Sequence, residues 1–323
     1  MTTAPSQSSR TEVVTLGETM ALVRADTPGP LQHVSSLGLG MGGAESNFAI
    51  ALRRLDTPVT WVGRIGADSF GEYIRRELCA ERVTTLAIED ADAPTGLMIK
   101  ERRTADSQKV WYYRAGSAGS RLEPADVPVA VVERARLLHV TGITPGLSDS
   151  AAAAVDFAVA TAKAAGTLVA FDLNYRSALW SGAAAGVAFE KLCGQADLVF
   201  AGDDEAALVV GAADDPMVLA HRLAELGPTQ VIVKLGARGA VALIDGVEYQ
   251  QSAVPVTPID TVGAGDAFVA GYISEFLAGV DPAGRLGTAA RVGAFSCLVP
   301  GDWEGSPRRG ELGLLDADEP VSR

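Results

Sequence analysis

Cysteine and histidine are scarce in this chain. Its 323 residues hold three of each: Cys79, Cys193 and Cys297, and His33, His139 and His221. The cysteines are scattered, odd in number and form no Cys-x-x-Cys, which argues against a disulfide framework and for reduced core thiols in a cytoplasmic protein. No histidine stands at ligand spacing from another or from a cysteine, which argues against a dedicated metal cage. Positive charge is also short, with 27 Lys+Arg against 40 Asp+Glu and a formal net charge of −13. That balance argues against nucleic acid and against an anionic membrane as partners. No run approaches the roughly 18 uninterrupted apolar residues of a membrane span. Residues 1–11 are mostly Ser, Thr and Gln without an apolar centre, and read as a loose tail rather than a signal peptide. Gly-Lys-Ser/Thr occurs nowhere, so a Walker-type phosphate loop is missing, and so is a protein-kinase catalytic loop.

What is present is apolar material in quantity, 48% of residues, enough for a large core. Val13–Leu16 reads as a first buried strand and Val59–Val62 as a second. Between them come a polar, Pro-rich stretch (Asp26–Pro30), short extended pieces over Gln32–Ser36, and a helix through Phe48–Leu55. Phe70–Leu78 predicts another helix. Thr95–Lys100 and Lys109–Arg114 flank a polar turn (Arg103–Ser107) in a hairpin pattern whose aromatic end, Trp111-Tyr112-Tyr113-Arg114, is too polar for ordinary core. Such an interruption of a βα series commonly covers a site. From Leu137 the alternation is regular. Strands are expected at Leu137–Val140, Leu168–Asp172, Asp197–Phe200, Gln230–Leu235 and Ala240–Ile244, with helices at Ser150–Ala165, Glu205–Val210 and Met217–Leu226. Near-continuous apolar strands separated by helices predict an α/β fold, a parallel sheet covered on both faces. Ligands then bind beyond the carboxyl ends of the strands, where Asp172–Arg176, Gly202–Glu205 and Lys234–Gly239 fall.

Two glycine-rich stretches carry the chemistry. Gly38-Leu39-Gly40-Met41-Gly42-Gly43 matches a dinucleotide fingerprint, but it follows a polar stretch and not the first strand, so its context is wrong. The other reading makes Gly42-Gly43-Ala44-Glu45-Ser46-Asn47 a tight approach to a small ligand at a helix start. Asp260-Thr261-Val262-Gly263-Ala264-Gly265-Asp266-Ala267-Phe268 precedes a small-residue, apolar run that reads as a buried helix. Gly263, Ala264 and Gly265 let a ligand approach the backbone, where free N–H groups and the dipole favour an anion such as a phosphoryl group. Asp266 then stands where a carboxylate accepts a proton from an attacking hydroxyl. The bland alternative is a Gly-rich turn capped by Asp266.

Together, the stretches over Gly42–Asn47 and Asp260–Phe268 resemble the N- and C-terminal signatures of the ribokinase-like (PfkB) carbohydrate kinases. They stand in the right order and at the right spacing, and the resemblance covers nearly the whole chain. Within that family the chain is most similar to 2-keto-3-deoxygluconate kinases, through Tyr112–Ser120, Thr141–Pro145, Asp172–Arg176 with Leu179-Trp180, and Gly301–Gly305. The resemblance implies a single domain over 1–323 of ribokinase-like fold, a mostly parallel sheet with helices on both faces. It also implies a small β lid formed by about 18–41 and 94–115.

The implied activity is ATP-dependent phosphorylation of a sugar acid's primary hydroxyl. Asp266 would be the base, and Gly263, Ala264 and Gly265 the anion hole. Gly43, Ala44, Glu45, Ser46, Asn47, Tyr112, Arg114, Arg176, Asp266 and Asp302 would bind the sugar. Asn174, Arg176, Lys234, Gly236, Gly239, Gly263 and Gly265 would meet the nucleotide, and Glu205 would act indirectly on Mg2+. A monovalent cation and a homo-oligomer also follow from the resemblance. Two departures stand out: Gly202 where many relatives carry Asn, and Met98 where some close relatives carry Tyr. Local readings stay open beside this one. Arg176 reads also as a partner of Asp172, Tyr112 as packed in the hairpin, Glu205 as a helix-start carboxylate, and Asp302 as a turn cap. A neutral-sugar kinase of fructokinase type and a catalytically silent sugar- or nucleotide-binding protein are the competing functions.

Overall fold

The computed structural model describes residues 12–104 and 107–316. The expected tail over 1–11 and the tip of the hairpin turn, Ala105 and Asp106, lie outside the described residues. The chain opens on β1 (Val13–Leu16), leaves for β2 (Met20–Ala25) and β3 (Leu37–Gly42), and returns through α1 (Ala44–Arg54) to β4 (Val59–Gly66). After α2 (Ser69–Ala80) and β5 (Thr84–Asp90) comes a second excursion, β6 (Leu97–Thr104) and β7 (Ser107–Tyr113). A short α3 (Val129–Val132) then leads to β8 (Leu137–Thr141), α4 (Asp149–Ala165), β9 (Leu168–Asp172), α5 (Gly182–Cys193) and β10 (Leu198–Gly202). The rest runs α6 (Asp203–Val210), α7 (Pro216–Ala224), β11 (Gln230–Lys234), β12 (Ala240–Ile244), β13 (Val247–Gln251), α8 (Ala264–Leu277) and α9 (Pro282–Ser296).

Nine of these strands form one sheet in the order β13-β12-β11-β10-β9-β8-β1-β4-β5, parallel from β11 to β5, with β12 and β13 antiparallel at one end. The strand period of two divides their side chains between opposite faces. Val13, Leu137, Ala170, Ile232 and Ala242 pack in one cluster with α1, α8 and α9. Their neighbours Val14, Leu138, Val169, Val231 and Val241 pack in the other with α4, α5 and α7. That is why these strands are apolar on both faces and read as continuous hydrophobic runs.

Helix ends follow local chemistry. The Asp68 side chain accepts from the Phe70 and Gly71 amides to open α2, and the Ser148 hydroxyl accepts from Ala151 N to open α4. Asp215-Pro216 and Asp281-Pro282 place a capping carboxylate before a first-turn proline at α7 and α9. At its other end α4 stops on Gly166, at φ 74°.

The two excursions build a second sheet, β3-β2-β6-β7, next to the carboxyl ends of β1 and β5. Met20, Leu22 and Met98 pack on its inner face. Tyr112 is in register with Met98 and Lys100 with Val110, so both point inward, whereas Leu39, Trp111 and Tyr113 stand on the exposed outer face. The extended pieces expected over Gln32–Ser36 are corrected here. Leu31–His33 is a single 3-10 turn and the strand starts at Leu37. Gly38–Gly42 therefore lies on β3, antiparallel to β2, and is no dinucleotide turn.

Candidate active site

Five segments converge beyond the carboxyl edge of the large sheet: the starts of α1 and α8, and the loops after β9, β10 and β11. At the start of α8, Gly263 has φ 77°, and a Cβ there would lie 1.8 Å from the carbonyl oxygen of Asp302. Both the left-handed turn and the close approach demand glycine. Ala264 N bonds back to Thr261 O at 3.3 Å, while the amides of Gly263, Gly265 and Asp266 find no protein acceptor among the described residues. The anion hole expected at Gly263–Gly265 therefore has donors to offer at a helix start.

Asp266, in the first turn of α8, is buried and held from two sides. Its Oδ2 accepts from Asn47 Nδ2 at 2.9 Å and its Oδ1 from Asn174 Nδ2 at 3.1 Å. Asn47 sits in the first turn of α1, where its Oδ1 also accepts from Gly43 N at 3.5 Å. Asn174 follows β9 with φ 39°, a left-handed conformation that asparagine tolerates. Burial pushes the Asp266 carboxyl up to about 6, against the Asn47 hydrogen bond and the charges of Arg176 and Lys234. A carboxylate in that range is a competent base near neutral pH.

Lys234 ends β11 and donates to Asp172 Oδ1 at 2.7 Å. Burial pulls its ammonium down, but Asp172, Glu205 and Asp266 outweigh that and hold it above the ordinary range. Its Nζ lies 3.8 Å from where a Cβ on Gly265 would be, which sets a charge beside the anion hole. Gly236 opens and Gly239 closes the 3-10 turn that follows. Arg176 is exposed and donates to Tyr175 O at 3.0 Å. Among the described residues it has no ion-pair partner; Asp172 is taken by Lys234, so the Asp172–Arg176 bridge is not formed.

Several expected ligand residues are engaged elsewhere. Glu45 is fully buried, its Oε1 accepting from Thr141 (2.7 Å) and Thr144 (2.8 Å), and burial raises its carboxyl. Ser46 donates to Gly43 O at 3.0 Å, and the Ala44 side chain is buried. Of the Gly43–Asn47 set, Asn47 alone brings a side chain to Asp266. Arg114 forms an ion pair with Glu18 at 2.5 Å, because the Glu18 carboxylate is fully buried and needs a partner; Ser117 donates to the same carboxylate. Asp302 is likewise paired, with Lys100. Glu205 accepts from Tyr175 N (2.9 Å) and Gly202 N (2.7 Å), as a helix-start carboxylate does. Both of its oxygens are taken by amides, and among the described residues no group of three His, Cys, Asp or Glu could hold a metal. Tyr112, on β7, shares the face of Met98, with Arg114 over its ring at 5.7 Å, and is exposed to solvent.

Sequence reasoning missed Glu18, Lys100 and Asp260. The signal for Lys100 was its two-residue offset from Met98, which puts both on the inward face of one strand. Glu18 gave only its position directly after a buried strand.

A model of the pfkB family carbohydrate kinases matches residues 10–309. Over 306 residues the chain is 36% identical to a 2-dehydro-3-deoxygluconokinase of Thermoproteus tenax, across 93% of each chain. It is 33% identical over 293 residues to a 2-dehydro-3-deoxygalactonokinase of Haloferax volcanii, covering 90% of this chain and 92% of that one. A solved PfkB protein from Polaromonas sp. JS666 superposes with a TM-score of 0.84 at 34% identity, over 93% of this chain and 98% of that one.

Proposed function

Since this chain belongs to the pfkB family of carbohydrate kinases, we propose that it transfers the γ-phosphoryl group of ATP to the primary hydroxyl of 2-keto-3-deoxygluconate (2-dehydro-3-deoxygluconate). The observation that carries the transfer is the pairing of a doubly held, buried Asp266 with unaccepted amides in the same helix turn. Asp266 takes the hydroxyl proton as the sugar oxygen forms its bond to phosphorus and the bond to the ADP oxygen breaks. The amides of Gly263–Gly265 meet the charge on the phosphoryl oxygens, with Lys234 alongside. Asn47 and Asn174 hold the carboxylate on line without neutralising it. The donor set around Glu205 does not fit a protein-held metal, so Mg2+ would travel on the nucleotide phosphates and add charge neutralisation there; a monovalent cation completes the expected cofactors.

Arg176, which forms no ion pair among the described residues, is the residue we assign to the sugar acid's carboxylate. Tyr112 and the inner face of the small sheet close over the sugar as a lid on the single kinase domain. The exposed row of Leu39, Trp111 and Tyr113 is the face available to a homo-oligomer. One observation favours the competing neutral-sugar reading: Glu18 already neutralises Arg114. An ADP-release assay with 2-keto-3-deoxygluconate, its galactonate-derived epimer and fructose decides between them. Preference for fructose would reject the sugar-acid assignment, and no release with any sugar would reject the kinase.

A further inference from the structure

Lys100 has no part in the reaction as described, yet it is a buried lysine near the reacting groups. It comes from the inner face of β6 and is only 5% exposed. Its ammonium donates to Asp302 Oδ1 and lies 3.9 Å from Asp260 Oδ2. Asp260 in turn accepts from Val262 N at 3.1 Å and Gly301 N at 3.3 Å. One cation thus gathers the small sheet, the loop leading into α8 and the loop around 301–302.

Asp302 stands between two glycines of the site. Its carboxylate lies 2.3 Å from where a Cβ on Gly42 would be, and its carbonyl oxygen 1.8 Å from where one on Gly263 would be. Gly42 leads into the α1 start that carries Asn47, and Gly263 begins the anion hole. A methionine would fill the same inward position on β6, two residues from Met98 and opposite Val110, without requiring two buried carboxylates. The charge is therefore tied to the loops and not to filling the core.

We propose that Lys100 is a positioning residue that locks the small sheet to the anion hole, so that the sheet's placement sets the Gly263–Gly265 amides through Asp302 and Asp260. The inference rests on the kinase reading above. When the sheet is seated, Lys100 holds both carboxylates and the amides point at the phosphoryl group. When the ammonium is withdrawn, the two loops lose their common anchor.

Lys100→Met alone leaves the buried Asp302 carboxylate without its donor, whereas Asp260 keeps its two amide donors, so the test adds the double variant Lys100→Met with Asp302→Asn. Thermal unfolding and steady-state kinetics for ATP and sugar are measured on both. The double variant is expected to fold and melt close to the parent, with kcat reduced about 10–100-fold and KM for ATP little changed, since misplacement by about 1 Å costs on the order of 10²-fold. Parental kcat in the double variant overturns the inference. So does a double variant that fails to fold, or one that melts well below the parent, since either makes the cluster a stability element. A parent that phosphorylates no sugar would instead sink the kinase reading itself.

Discussion

Replacing Asp266 by asparagine separates proton transfer from everything else the residue does. The carboxylate accepts from two amide side chains, Asn47 and Asn174, one on each oxygen. Asparagine offers one oxygen, so one donor is left facing an NH2 group, and a buried unpaired donor costs about 1–3 kcal/mol. Against this stands the charge that asparagine removes. Burial raises the Asp266 carboxyl from 3.8 to about 6, and a rise of about 2 pKa units corresponds to about 3 kcal/mol lost by the folded state when the carboxylate is fully ionised. Between the two values the folded state binds the proton more tightly than the unfolded state. The parent therefore gains stability as the pH falls through that window, and the penalty is complete above it. The variant should equal or slightly exceed the parent in stability near about pH 8 and fall below it near about pH 5. Turnover behaves differently: kcat drops about 10²–10⁴-fold with the base gone, while KM changes little. The parent's kcat/KM should also decline as the pH falls through about 6, where the free enzyme's base protonates. Coupled ADP release and thermal unfolding at both pH values check this. Turnover within about threefold of the parent, far short of the range for a lost base, would reduce Asp266 to a helix cap.

Arg176→Ala should lower kcat/KM for the sugar acid roughly 10–100-fold, the worth of a charged hydrogen bond, and lower it far less for fructose. Equal losses would remove the carboxylate assignment and leave the kinase standing. Arg114→Ala should instead cost stability, about 3–5 kcal/mol in denaturant unfolding, because it strands the buried Glu18 carboxylate; a variant as stable as the parent would show that Glu18 finds another partner. Gly263→Ala meets a left-handed penalty of about 1–2 kcal/mol and the Asp302 carbonyl together, so kcat should collapse. Parental turnover would mean the anion hole does not need this turn. Sugar binding should protect the amides of β6 and β7 from hydrogen exchange, and unchanged exchange would make the small sheet a static surface.

Legibility in the sequence followed burial on both faces. β1, β8, β9, β11 and β12 were visible because each is a largely apolar run bounded by turn residues. α5 was missed because Gly182–Cys193 is nearly all small and apolar, with a weak stripe. β5 was missed because Thr84–Asp90 is an edge strand with mixed exposure. β3 was obscured by its glycines, which read as a loop until β2 supplied a partner. At the site, the Gly263 turn and the place of Asp266 in the helix turn after it were legible because both depend on adjacent residues; the Asn47 bond to Asp266, 219 positions away, was not. The engagement of Arg114 by Glu18 and of Asp302 by Lys100 was not. Those partners are 96 and 202 positions apart, and charge pairing at such distance leaves no local pattern.

The placement of β1 has a consequence for how the chain is made. It precedes every other described strand in the chain, yet it lies inside the sheet, with β4 on one side and β8 on the other. Val13 pairs with Val59 and with Leu137, so one edge is closed early and the other only after 124 further residues. At about 5–20 residues per second, that second edge waits roughly 6–25 s on the ribosome. Throughout that interval a strand with three apolar residues in four (Val13, Val14 and Leu16) presents unpaired backbone groups, the condition that recruits wrong partners. The nascent half-sheet of β1, β4 and β5 is therefore the stage at which this protein most needs shelter from its neighbours.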